Sequence, residues 1–522
     1  MKQTLLFCIL LCTILSCKSR KQDDDADLKE PAVSNLSGRE LSIAHCSRCH
    51  LLVSPQILPK ASWQKVLPAM GQRMGIYAGV TRPDSLFNPK TGGSVVKSAH
   101  IFPEKPIISK ADWQKIEQYY LDNAPDSIPA PVRSRKIQLG LRHFKYRKPP
   151  TAHRPALTTM VKILPDKQGI VFSDGKGKQK KMTFLNPRLE AQYTIALPSA
   201  PVHFYQTSKE LYVTTIGNTV FPTDAAEGSV QRWVKGAAGY ALSNTPVSNL
   251  RRPVNMAYGD LNNDGFEDIV ACEFGNETGQ LAWYANNGRG GYDKRVLNER
   301  PGAITAIIKD ANGDKLPDIY VLMAQADEGI LLYENQGQGQ FKEKRLLTFS
   351  PLNGSQYMEL ADFNKDGFDD IIYVCGDNAD KTPILKDYHG VYIYLNDGKS
   401  NFKQAYFYQL NGAYKAMARD YDLDGDLDIA AISFFPDYKR YPHESFVYLE
   451  NKGRLKFRDY SFPESPEGRW SVMDAGDMDG DGDTDIVLGS FVYFIPKGDK
   501  TGLGQKWLSD GPSVIVLENT VK

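Results

Sequence analysis

The chain has no long run of one charge. Its 63 Lys and Arg stand against 62 Asp and Glu, for a net charge of +1 over 522 residues. Without a basic stripe to follow a phosphate backbone, nucleic acid is not an expected partner. Long helical periodicity does not dominate, and Tyr and Phe are abundant, which favours a β-rich fold. No Gly-rich phosphate loop, no second redox-cofactor motif and no Ser/His/Asp set at a catalytic spacing is present. Cysteine is scarce. Of seven, Cys8, Cys12 and Cys17 are N-terminal, Cys46 and Cys49 form a pair, and Cys272 and Cys375 stand alone. The last two are expected to be small buried strand residues, not a bridge.

What is present divides the chain into parts, as its length requires. Lys2 and the apolar run Leu5 to Leu15 are too short for a membrane span and read as an export signal over residues 1–16. The signal ends in Ile14-Leu15-Ser16-Cys17, which resembles the bacterial lipobox. That resemblance implies a lipid on Cys17, and so an anchor to the outer membrane on its periplasmic or cell-surface face. Residues 17–35 are a charged, acidic leash.

Residues 36–125 form a small helical domain containing Cys46-Ser-Arg-Cys49-His50. Two thiols three positions apart can add to the two vinyl groups of a haem, and the adjacent histidine can ligate its iron. The alternatives are a zinc site on His45, Cys46, Cys49 and His50, or a disulfide. Four zinc ligands within six residues would be cramped. The stretch ADWQKIEQYYL has Trp113, Ile116, Tyr120 and Leu121 at helical spacing and resembles the C-terminal helix of class I cytochromes c. The candidates for the sixth iron ligand are Met70, Met74 and His100. The resemblance favours Met70, because similar domains carry a Trp-to-Met arrangement like Trp63 and Met70.

Residues 126–157 are a connection rich in Pro, Lys and Arg, with strand-like alternation over 136–147. From 158 to 522 the chain repeats. Five loops carry acidic or Asn residues at positions 1, 3, 5 and 9: Asp260, Asn262, Asp264 and Asp268; Asp310, Asn312, Asp314 and Asp318; Asp362, Asn364, Asp366 and Asp370; Asp420, Asp422, Asp424 and Asp428; Asp477, Asp479, Asp481 and Asp485. Position 7, the usual place of a carbonyl ligand, is Phe266, Leu316, Phe368, Asp426 and Asp483. Oxygens at this spacing suit a hard cation such as calcium. Gly stands at position 6 in four loops. Lys315 replaces it in the loop at 310, so that site is expected to be the weakest, or metal-free. Each loop leads into an apolar strand, and a second strand in each unit ends in Asn, as in LAWYANNG and VYIYLNDG.

Units of about 50 residues with four strands are propeller blades. The repeats resemble the integrin-type FG-GAP/VCBS family, which implies an all-β propeller of seven blades behind a small all-α cytochrome domain. Two fainter units, over 158–174 and 202–217, lack the loops. The last unit ends at its third strand, and 136–147 is expected to supply the fourth. The segments 376–389, 436–444 and 495–512 fall opposite the cation loops. They carry Asp387, Tyr388, His389, Asp437, Tyr438, Arg440, Tyr441, His443 and Trp507 as a candidate docking face.

The expected function is one-electron transfer by a membrane-anchored cytochrome with one covalent haem and several calcium ions. A redox protein would be its partner, and a glycan or protein could be bound by the propeller. The alternatives are a haem-coupled sugar or alcohol dehydrogenase and a calcium-dependent adhesion or polysaccharide-binding lipoprotein.

Overall fold

The computed structural model describes residues 30–79, 81–133, 136–177, 179–236, 239–378, 383–493, 495 and 500–521. Cys17 and the export signal lie outside these residues.

The helical part begins at α1 (Gly38–Cys46), where Ser37 and Glu40 form a reciprocal capping box. It continues through α2 (Lys60–Arg73), α3 (Gly93–Ser98) and α4 (Lys110–Asn123), whose first turn is capped by the Ser109 side chain. Leu41, Trp63, Leu67, Trp113, Ile116 and Tyr120 make one buried core. The expected helix over 111–121 is the centre of α4. The two end helices approach very closely at Gly38, where an added Cβ would lie 2.1 Å from the Lys115 carbonyl oxygen. Glycine is needed there for space.

The rest is a ring of seven β-sheets. Their first strands begin at Val161, Pro201, Pro253, Ala303, Ser355, Ala413 and Trp470. Second strands such as Asp268–Glu273 and Asp370–Cys375 are buried throughout, because each blade packs between two neighbours. That is why they read as unbroken apolar runs. Outer strands such as Tyr292–Asn298 are largely exposed and polar. Cys272 and Cys375 are buried and unbridged.

The last blade takes its fourth strand from Phe144–Arg147, which pairs antiparallel with Val514–Asn519. This is narrower than the expected segment. Gln138 and Leu139 instead pair with Tyr460 and Ser461 on the outside of the preceding blade. Gly140, at φ 115°, separates the two pairings. The connection is fastened before it arrives: the Arg133 guanidinium donates to Glu444 and to the Gln409 carbonyl, and stacks on Tyr408.

The helical domain rests on the propeller face opposite the cation loops. Arg73 pairs with Glu277, and the Asp224 amide donates to the Thr91 carbonyl at 3.0 Å. Leu352 and Ile384 pack against the helical core. The residues expected to form an open docking face there do not all do so. His389 and Trp507 are each 1% exposed, and Asp437 is 9% exposed. They are loop cores: Trp507 donates to the Pro466 carbonyl, and Tyr438 stacks edge-on against it.

The closing strand should be worth measuring alone. The Phe144 ring meets Tyr421 and Tyr448 at 5.9 and 5.6 Å. Phe144→Ala is expected to cost about 2 kcal/mol for a half-buried ring. Urea unfolding would check it, and a loss below about 0.5 kcal/mol would show that the last blade does not depend on this strand.

Candidate haem and cation sites

Cys46 is the last residue of α1, and Cys49 and His50 follow in the turn. The His50 Nδ1 lies 2.8 Å from the Leu51 carbonyl oxygen. A carbonyl can only accept, so Nδ1 carries the proton and Nε2 keeps its lone pair for a metal. Burial, and then Cys49, push the Cys46 thiol up to about 11. That suits a thiol awaiting addition better than a thiolate ligand for zinc. Among the described residues, no three of His45, Cys46, Cys49 and His50 bring ligand atoms within 4.8 Å of one another, and both cysteines are free.

Met70 lies in α2 and Met74 caps its end, one turn further on. Both pack, partly buried, on the helical core. His100 is exposed at φ 53° and does not join that core. Apolar side chains flank both ends of the region. Ile43, Leu51 and Leu52 stand exposed beside the motif. Ile107 stands exposed where its amide donates to the Met74 carbonyl. Uncovered apolar shelves beside two candidate iron ligands are what a porphyrin would cover, so the residues present fit a haem.

The five loops share one construction. The carboxylate at position 1 accepts the amide of position 6 in four of them, from Gly265, Lys315, Gly367 and Gly425. The position-9 Asp is buried in every loop. One of its oxygens accepts the amide of the Asn that ends the third strand, at 2.7–2.8 Å: Asn286, Asn335, Asn396, Asn451 and Asn519. The other accepts the position-2 amide in four loops. In the loop at 420 it accepts the Tyr448 hydroxyl instead. Each Asn amide donates back to the carbonyl of position 8. The two repeating signatures in the sequence are therefore the two halves of one clasp. Spacing alone did not reveal this pairing.

Backbone geometry also corrects the reading of the loop at 310. Every loop needs left-handed backbone at positions 4 and 6. Position 4 is Asn263, Gly313, Lys365, Leu423 and Gly480, and position 6 is Gly265, Lys315, Gly367, Gly425 and Gly482. The loop at 310 exchanges which position holds glycine. It carries one strained non-glycine residue, as do the loops at 260, 362 and 420, so strain does not single it out. Only the loop at 477 has glycine at both.

Two loops gather three carboxylates closely enough to hold a cation: Asp420, Asp422 and Asp424, and Asp477, Asp479 and Asp485. Asp483 is 2% exposed, and neither of its oxygens has a partner. In the loops at 260, 310 and 362 the position-3 Asn donates to the position-5 Asp.

Residues 260–321, 310–373 and 420–488 match the family of FG-GAP-like repeats. Residues 42–86, which hold the Cys-x-x-Cys-His motif and both methionines, match the dihaem cytochrome c family. The chain thus joins an N-terminal cytochrome c domain to a seven-bladed propeller with FG-GAP-like repeats. No curated protein matches it. Similar solved structures include the periplasmic gluconolactonase PpgL of Pseudomonas aeruginosa, 12% identical, covering 61% of this chain and 91% of that one at a TM-score of 0.41. The Neurospora crassa Pan2 WD40 domain is 9% identical and covers 74% and 98% at a TM-score of 0.44. Scores at this level carry no argument about function.

The clasp itself can be tested. Asn519 is 1% exposed and donates to the carbonyls of Tyr421 and Thr484 at 2.8 and 3.2 Å. Asn519→Ala leaves both acceptors buried and unmet, so a loss of about 1–3 kcal/mol is expected in urea unfolding. A neutral result would remove the clasp from the account.

Proposed function

We propose that this is an exported, lipid-anchored c-type cytochrome that transfers single electrons and uses a calcium-clasped propeller to bind a ligand or a redox partner. The observation that carries the reading is the Cys-x-x-Cys-His turn at the end of α1, with His50 Nδ1 engaged and apolar shelves beside it. The sequence contains one such motif, so one covalent haem is proposed.

Cys46 and Cys49 would hold the haem through thioethers, and His50 and Met70 would ligate its iron. A bound haem supplies reversible one-electron chemistry. The chain does the rest. The Leu51 carbonyl orients the His50 ring, and Leu51, Leu52 and Ile107 exclude water from the porphyrin. A thioether ligand raises the potential into the range of an electron carrier. Cys17 would keep the protein at the outer membrane, on its periplasmic or cell-surface side.

The haem reading is checked by optical spectra of the exported protein. Cys46→Ala/Cys49→Ala is expected to lose covalent haem, shown by pigment that leaves the chain in acidic acetone. Met70→Leu is expected to keep the haem but to lose the long-wavelength sulfur-to-iron band of the oxidised form. Loss of that band in Met74→Leu instead would move the ligand by one turn.

Calcium is supported by the charge the loops confine. Without a cation, burial pushes Asp428 up to about 7 and Asp485 up to about 6. A carboxyl with a raised folded pKa makes the folded state hold more protons than the unfolded one. Stability then falls as pH rises from about 4 to about 7. A bound cation removes that repulsion without protons. Chelation is therefore expected to lower Tm by several degrees near pH 8 and much less near pH 5, as read by calorimetry. Equal effects at both pH values would count against a cation in these loops.

A further inference from the structure

The first strands of the blades line the central channel, and that lining is unusually polar. Lys162 comes from the first blade, His203 from the second, Tyr258 from the third, Tyr357 and Glu359 from the fifth, Lys415 and Arg419 from the sixth, and Asp474 from the seventh. At its cation-loop end the channel widens into a cavity of about 310 Å³, lined by Lys162, His203, Gln206 and Tyr258 among others. Two of these residues carry buried polar atoms without a hydrogen-bond partner, His203 Nδ1 and Gln206 Oε1, whereas the Tyr258 hydroxyl meets Thr214. Buried polar groups are rarely left unmet in a finished fold. Two of them on residues of one cavity mark a place where something else supplies the partners.

The charges specify what that is. Lys162 pairs with Asp474 at 3.1 Å, and Arg419 pairs with Glu359. Lys415 makes no direct ion pair among the described residues, although Asp474 and Glu359 lie near enough to attract it, and its Nζ lies 4.8 Å from the centre of the Tyr357 ring. The channel therefore holds one cation in excess. Burial, then Lys162 and Lys415, pull His203 down to about 3. Its ring is thus neutral, with one donor and one acceptor nitrogen. Glu359 Oε2 is a further buried acceptor without a partner.

We infer that the channel binds a small hydroxylated carboxylate, of the sugar-acid class, with its carboxylate toward Lys415 and its hydroxyls meeting His203 and Gln206. The cavity is of monosaccharide size. The site deepens the ligand-binding half of the proposed function. It opens on the face away from the cytochrome domain, so binding there is read independently of the haem.

The test is calorimetric titration of the full haem-loaded protein with D-glucuronate and D-galacturonate, using glucose and acetate as controls for hydroxyls alone and charge alone. At least one sugar acid is expected to bind saturably, with both controls at least about tenfold weaker. Lys415→Met is expected to weaken binding at least about tenfold while leaving the haem spectrum unchanged. It should also raise the Tm of the ligand-free protein, because it removes a desolvated cation that has no ion pair. Gln206→Leu, which removes the unmet acceptor at the cavity, should weaken binding several-fold if Lys415→Met fails to fold. No saturable heat with either sugar acid would show a channel filled with water and overturn the inference. So would glucose binding as tightly as the acids, or unchanged affinity in folded Lys415→Met.

Discussion

A buried carboxylate joins two distant turns in each of five blades, and the propeller depends on it. In the loop at 362, Asp370 accepts from Phe363 at the start of the loop and from Asn396 at the end of the third strand. One side chain thereby fixes the loop, the strand that follows it and the turn two strands away. Asn396 returns a hydrogen bond to the Asp369 carbonyl, so neither partner is left unmet. Each acid sits beside further carboxylates at positions 1 and 5, with Asn or Asp at position 3. The clasp that orders the blade thus gathers the charge that a cation would neutralise, and fold and metal chemistry are one arrangement.

This explains what could be read in the chain and what could not. The acids at positions 1, 5 and 9, the Asn or Asp at position 3 and the strand-ending Asn recur at fixed spacing, so five blades were plain from pattern. The first two blades were faint because they lack that pair. Lys180–Leu185 and Ala226–Gly236 form their third strands without an Asp–Asn clasp to mark the ends. Pattern failed where geometry alone decides. Lys315 looked exceptional, until the backbone showed two left-handed positions in every loop. In the cytochrome domain the motif and α4 were legible, whereas the need for Gly38 was not. Its role is the close crossing of two helices more than seventy residues apart in sequence.

Long-range placement had no signal at all. Arg73 and Glu277 are 204 residues apart, and nothing in either segment announces the other. The long loops opposite the cation sites suggested a docking surface, and that face is occupied in part by the chain's own cytochrome domain. The loop aromatics expected to greet a partner instead fill the loops, as Trp507 does against Pro466 and Tyr438. Bulky loops on a propeller rim need cores of their own, and their largest side chains supply them.

The two faces of the ring are therefore unequal. One carries the haem domain and large, self-packed loops. The other carries the cation loops and the mouth of a channel whose polar atoms are incompletely met. Six of the seven first strands contribute a charged or polar side chain to that channel's interior. Leaving Lys415 without a direct ion pair, and the polar atoms of His203 and Gln206 without partners, costs stability on every folding event. A fold that invests five carboxylate clasps in rigidity has little reason to leave such groups unpaired for structure's sake. The imbalance belongs to what the channel holds, and the clasped blades keep those side chains in register to hold it.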